Sequence, residues 1–149
     1  MRHVQHLARR FLGSISSAPP PAADDAWAVR QLSATEASLW WQMMHQDRRH
    51  SVLVARRFVE RVPDAPQAAV VAALLHDVGK SESHLGVFSR VAATTLGPRT
   101  SRWRSYHDHE RIGVAMLRQA GSDPLTIALL DGMSPVRDLV RALHAADDI

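Results

Sequence analysis

Several polar residues occupy positions where a helical pattern calls for apolar side chains. His50 precedes Val54 by four residues and Phe58 by eight, so it shares their face near the start of a helix. His76 and Asp77 close the most apolar stretch of the chain, Ala68 to Leu75. His109 precedes Ile112 and Gly113 by three and four residues, again on the inward side. Asp147 follows Leu143 by four and Val140 by seven, whereas Asp148 points roughly 100° away by the helical period. A buried carboxylate without a partner costs several kcal/mol, so Asp77 and Asp147 need hydrogen bonds, a cation or a raised pKa. A divalent ion would satisfy both at once. Two imidazoles and two carboxylates drawn from three helices form a mixed nitrogen and oxygen set that suits Mn, Fe, Co, Ni, Mg or Zn and leaves positions for water. Such a site is of the open, catalytic type.

The elements that must position these groups read as helices throughout, and no strand-like alternation or internal repeat is present. Residues 1–16 form a basic amphipathic helix with Val4, Leu7, Phe11 and Ile15 on one face, suited to packing on its own domain or on a second copy of the chain. Residues 17–25, with three consecutive prolines, read as a linker, and the folded body is expected from 26 to 149, starting near Asp24. Ser33 and Glu36 make a capping box. Asp47 is expected to cap a helix that buries Ser51, Val54, Ala55, Phe58 and Val62 and stops before Pro63. Asp64 should open a central helix over 65–78, ended by Gly79 in the left-handed conformation. A further helix is expected from Ser81 to Thr95. Asp108 should cap residues 109–120, with Ile112, Met116 and Ala120 inward and Gly121 at the end. Asp123-Pro124 starts a short helix to about Asp131, and Ser134-Pro135 opens the last, with Val136, Leu139, Val140 and Leu143 buried. The fold class is all-α, a single-domain bundle of about six to seven helices.

Composition narrows the chemistry. The 149 residues include no cysteine, which removes disulfides, thiolate nucleophiles and Cys-type zinc sites and makes a reducing cytoplasm the simplest home. The longest apolar run is eight residues, far short of the ~20 that span a bilayer as a helix. Net charge is only +3, and the arginines are scattered among 15 acidic residues, so a nucleic-acid partner is not indicated. Lys80 is the only lysine among 18 basic residues, and it lies three residues beyond Asp77.

His-Asp dipeptides occur twice, at 76–77 and 107–108, so the dipeptide alone carries little. The ordered set carries more: Asp47-Arg-Arg-His50-Ser, then Ala-Leu-Leu-His76-Asp77-Val-Gly79-Lys80, then Ala-Ala-Asp147-Asp148-Ile, with Tyr106-His107-Asp108-His109-Glu110-Arg-Ile-Gly113 between. Over residues 33–149 the sequence resembles the HD-domain metal-dependent phosphohydrolase superfamily. The resemblance implies His50, His76, Asp77 and Asp147 as metal ligands. It implies for His109 a contact to substrate phosphate, a role as acid, or a second metal.

The mechanism expected from this set is hydrolysis of a phosphomonoester or phosphodiester, with a nucleotide the favoured substrate. Asp77 would orient or deprotonate the attacking water, His109 would protonate the leaving oxygen, and Lys80 would hold the phosphate. Arg48, Arg49, Arg102 and Arg104 are candidates for the rim; His107, Asp131 and His144 are candidates to join the site. Trp27, Trp40, Trp41 and Trp103 read as packing anchors. Two other classes stand behind the hydrolase: a non-catalytic regulatory or interaction domain on the same scaffold, and a di-iron oxygenase, for which Asp131 is the nearest extra ligand.

Overall fold

Prolines and capping side chains cut the chain into helices that share one core. The computed structural model describes residues 18–81 and 100–148, with the backbone alone for 100–108. The helix expected over 1–16 and the interface suggested for it, nearly all of the helix expected over 81–95, and the side chains of Arg102, Trp103, Arg104 and His107 lie outside the described residues. Among the described residues there are seven helices and no strand: α1 (Ala22–Gln31), α2 (Ala34–Gln42), α3 (His45–Arg61), α4 (Gln67–Leu75), α5 (Thr100–Gln119), α6 (Pro124–Leu130) and α7 (Arg137–Asp147). The all-α expectation holds.

Helix α1 starts inside the stretch read as linker. Pro21 is its N-cap, and Asp24 and Asp25 sit in its first turn, where carboxylates are stabilised by the helix dipole. Prolines 19–21 end just where a helix can tolerate them, so linker character stops at Pro21. Asp25 then accepts the indole N–H of fully buried Trp40 at 2.9 Å and meets Arg48 Nη1 at 3.3 Å. The Ser33–Glu36 capping box forms as expected. Glu36 is buried, and its second oxygen accepts from Ser122 Oγ at 2.7 Å, tying the start of α2 to the α5–α6 loop.

Helix α3 is amphipathic and packs against α1, α4 and α7. It begins two residues before Asp47, with Met44 at its N-cap and no side-chain cap, so Asp47 is a first-turn acid rather than the cap. Ser51, Val54, Ala55 and Phe58 are buried as the spacing requires. Helix α4 is buried from Ala69 to Leu75 and packs on α1, α3 and α6; complete burial of Leu74 and Leu75 contributes about 1.5–3 kcal/mol each. It starts at Gln67 after Pro66, not at Asp64, because two prolines at 63 and 66 leave no room for an earlier regular turn.

After Leu75 the chain does not simply continue the helix. Val78, Lys80 and Ser81 donate backbone N–H groups to the carbonyls three residues earlier, giving successive tight turns over 76–81. Gly79 is not left-handed; among the described residues only Gly121 (φ 73°) and Gly132 (φ 76°) are. Gly79 is needed for a different reason: a Cβ there would overlap the His109 carbonyl oxygen and lie 2.8 Å from the Gly113 nitrogen. Two backbones approach where only a glycine fits.

Helix α5 runs well ahead of Asp108, which is therefore interior and not a cap. Its buried face is Gly113, Val114 and Leu117; Ile112, Met116 and Ala120 flank it half-buried. Gly121 ends it in the left-handed conformation as expected. Asp123 caps α6 through the Leu125 N–H at 2.8 Å, with Pro124 in the first turn. Helix α7 starts at Arg137 and buries Leu139, Leu143 and Ala146, while Val136 stays exposed as the N-cap, outside the stripe assigned to it.

Candidate metal centre

Three elements deliver the polar groups. His50 sits in the second turn of α3, His76 caps the C-terminus of α4, and Asp147 is the last residue of α7. Packing of α3 on both α4 and α7 brings these ends together. His50 Nε2 lies 2.9 Å from Asp147 Oδ1. His76 Nε2 lies 3.5 Å from the same oxygen and 3.5 Å from Asp77 Oδ2. The His50 and His76 rings meet edge-on with centroids 5.4 Å apart. One ligand atom each from His50, His76 and Asp147 falls within a 4.8 Å cluster.

The state of His76 tests whether a cation fits. Its Nδ1 is 2.9 Å from the Ala73 carbonyl, which can only accept, so Nδ1 carries a proton. In the neutral ring the lone pair is then on Nε2, and that atom is buried with no hydrogen-bond partner. A buried, correctly tautomerised nitrogen facing two carboxylates is what a histidine ligand requires. Burial opposes a charge on His76, but Asp147, Asp77 and the Ala73 carbonyl outweigh it and raise its pKa above the ordinary 6.5. The hydrogen bond to His50, and then the His76 ring 3.5 Å away, hold the Asp147 carboxyl well below the usual carboxylate range, despite partial burial. The cluster attracts positive charge from both sides, and its donor set fits a divalent ion.

Asp77 is close but engaged. It is outside the 4.8 Å cluster, and its Oδ2 accepts from Lys80 Nζ at 2.7 Å. Burial works against the Lys80 ammonium, and Asp77 more than compensates, so Lys80 titrates above its ordinary value. His109 is carried by α5, whose backbone presses on Gly79, and it lines the same cavity of about 160 Å³ as His76, Asp77, Lys80 and Asp147. His144, one turn before Asp147, also lines it.

Other candidates go elsewhere. Arg48 is buried on Asp25 with its guanidinium 4.8 Å from the Trp41 ring centroid, so it is a structural ion pair and not part of a rim. Arg49 donates to the Ala18 carbonyl. Asp131 pairs with Arg118 at 3.2 Å, accepts the Met133 N–H, and belongs neither to the histidine and carboxylate cluster nor to the cavity lining. Trp40 is an anchor, Trp41 is more than half exposed under Arg48, and Trp27 stacks beneath Arg56 at 5.3 Å. Sequence reasoning missed Glu110 and the wall formed by Val114, Leu129 and Leu130, all of which line the cavity. The adjacency of Glu110 to His109 was a usable signal; the leucines of α6 carried none.

In comparison with known proteins, the family model described as HD domain matches residues 49–149. No curated protein and no solved structure matches the chain significantly. Among the described residues no helix is long and apolar enough to cross a membrane.

Proposed function

The chain belongs to the HD-domain family, within the metal-dependent phosphohydrolase superfamily, and from that premise we propose that it hydrolyses a phosphomonoester or phosphodiester, with a nucleotide as the favoured substrate. What supports this most is the meeting of His50, His76 and Asp147 from three elements around the orphaned His76 Nε2. These three residues, with Asp77, would hold the ion. A divalent metal there would supply Lewis acidity, making a water molecule more acidic and polarising a phosphoryl oxygen.

The chain's own groups do the rest. Asp77 orients the water and takes its proton as the water oxygen bonds to phosphorus. The ester P–O bond breaks, and His109 gives a proton to the departing oxygen. Lys80 contributes an ammonium to the phosphate, and the flanking His144 is a further donor on that wall. A cavity of about 160 Å³ encloses a phosphoryl group and the atoms next to it; sites that enclose a whole drug-sized ligand are roughly 300–1,000 Å³, so the rest of a nucleotide lies outside it.

The test is a screen of nucleotides and generic phosphodiesters with each of Mn, Fe, Co, Ni, Mg and Zn, beside an Asp77→Ala background. Turnover that needs metal and vanishes in the variant is expected. No turnover across the panel, from protein shown to hold metal, would overturn the enzymatic reading in favour of an interaction domain.

A further inference from the structure

Asp77 Oδ2 has two suitors. It is the oxygen that lies 3.5 Å from His76 Nε2, and it is also the oxygen that Lys80 Nζ holds at 2.7 Å. Asp77 touches the cluster only at His76: neither of its oxygens comes within 4.8 Å of all three of the His50, His76 and Asp147 ligand atoms. The pair is not a loose surface contact on the carboxylate side: the Asp77 side chain is 14% exposed and that of Lys80 43%. A carboxylate oxygen that accepts a strong charge-assisted hydrogen bond cannot give the same lone pairs to a metal without cost. The ammonium therefore has to yield if Asp77 is to complete the ligand set, and the half-exposed stem of Lys80 allows it to swing into the adjoining cavity.

We propose that Lys80 is a placeholder cation: it occupies Asp77 in the metal-free chain, cedes the carboxylate to an arriving divalent ion, and is thereby turned toward the cavity to receive an anion. Metal and phosphate binding then reinforce each other through one side chain, because each removes a competitor of the other, and linkage makes the effect reciprocal. The inference rests on the reading of His50, His76, Asp77 and Asp147 as the metal set, and it adds that the site loads in a coupled manner. A static ion pair that only fixes the 76–81 turn would show no such coupling.

The experiment is a double-mutant cycle on metal affinity. Mn²⁺ dissociation constants are measured by calorimetry for the full chain, Lys80→Met, Asp77→Asn and the double variant, each checked for folding by circular dichroism, with Lys80→Gln as a second replacement. Removing the competitor should tighten Mn²⁺ by about five-fold, the upper end for a partly exposed ion pair. In the Asp77→Asn background the same change should move affinity by less than about two-fold, since there is no carboxylate left to compete for. Inorganic phosphate should then tighten Mn²⁺ more in the unmodified chain than in Lys80→Met. Unchanged or weaker Mn²⁺ binding in Lys80→Met and Lys80→Gln overturns the proposal, and so does tightening that persists undiminished with Asp77→Asn, which would mean simple charge repulsion. A full chain that binds no Mn²⁺ at millimolar concentration brings down the metal-centre reading itself, and the proposal with it.

Discussion

Replacing Gly79 by alanine should separate the metal ligands from His109 without removing any side chain that does chemistry. The new Cβ would overlap the His109 carbonyl oxygen, would lie 2.9 Å from the His109 carbonyl carbon and 2.8 Å from the Gly113 nitrogen, all backbone atoms. Restoring an ordinary non-bonded separation of ~3.5 Å from the His109 carbonyl oxygen requires the two segments to part by roughly 1.5 Å. The side that gives is α5: the turn is anchored by Val78, Leu74 and Leu75, all fully buried, whereas Glu110 and Arg111 on the next turn of α5 are on the surface or near it. Overpacking of this kind costs about 3 kcal/mol, and at roughly 2–4 °C per kcal/mol the melting temperature should fall by about 6–12 °C. A displacement of 1 Å in a catalytic group already costs on the order of 100-fold in turnover, so kcat should drop by at least that factor. Mn²⁺ affinity should stay within about three-fold, because His50, His76 and Asp147 are held by other elements. Gly113→Ala is the control: its Cβ would sit 3.2 Å from the Gly79 nitrogen and 3.5 Å from Val78 Cγ1, a crowding of tenths of an ångström. Helix propensity favours that change by about 1 kcal/mol, so the net effect should be near zero. Scanning calorimetry of both variants with Mn²⁺ titration decides the matter. Equal melting temperatures for Gly79→Ala and the unmodified chain would refute the close-approach account, and Mn²⁺ binding lost in step with stability would show that the turn, not α5, gives way.

Asp147→Asn should abolish stabilisation by metal while leaving the fold intact, since the side chain ends α7 half-exposed; at Zn²⁺ one hundred times the dissociation constant the unmodified chain gains about 2.7 kcal/mol, and thermal shift should read this gain only there. Metal-free protein should be most stable between about pH 4 and 6.5. His76, whose pKa is raised, contributes fully below its ordinary 6.5 and loses that contribution as pH rises through its higher folded value. Asp147, whose pKa is lowered, contributes above its ordinary 3.8 and loses it as pH falls. Chelated protein whose melting temperature climbs steadily from pH 5 to 8 would contradict this. Arg48→Ala should cost about 3 kcal/mol in urea unfolding, because the largely buried Asp25 carboxylate keeps only the Trp40 N–H, yet leave KM and metal affinity unchanged; a raised KM at unchanged stability would return Arg48 to the substrate rim.

Much of the chain was readable from local chemistry. The capping box at Ser33, the Asp123-Pro124 start, the Gly121 stop and the apolar stripe on α3 are properties of residues within a turn or two of one another, so spacing alone specifies them. The same holds for His50 and His109, half-buried as 3.6 residues per turn requires, whereas Asp147, expected buried, ends α7 exposed and meets His50 from the rim. The starts at Ala22 and His45, which no side chain caps, differ from the expected ones because those helices are set by what they pack on and not by their ends.

What the sequence alone determined, then, is an all-α chain and a set of histidines and carboxylates on inward faces, since helical periodicity is a local property. Only the tertiary structure decided which of them meet. His50 and Asp147 are 97 residues apart and touch because α3 packs on α7; Asp131 has an equally suitable side chain and is taken by Arg118. The role of Gly79 was equally non-local: the neighbour that forbids a Cβ belongs to a helix some thirty residues later, and no pattern around position 79 records it. Backbone periodicity fixes a side chain's direction, but its partner is chosen by the packing of whole helices, whose energies are summed over the entire core.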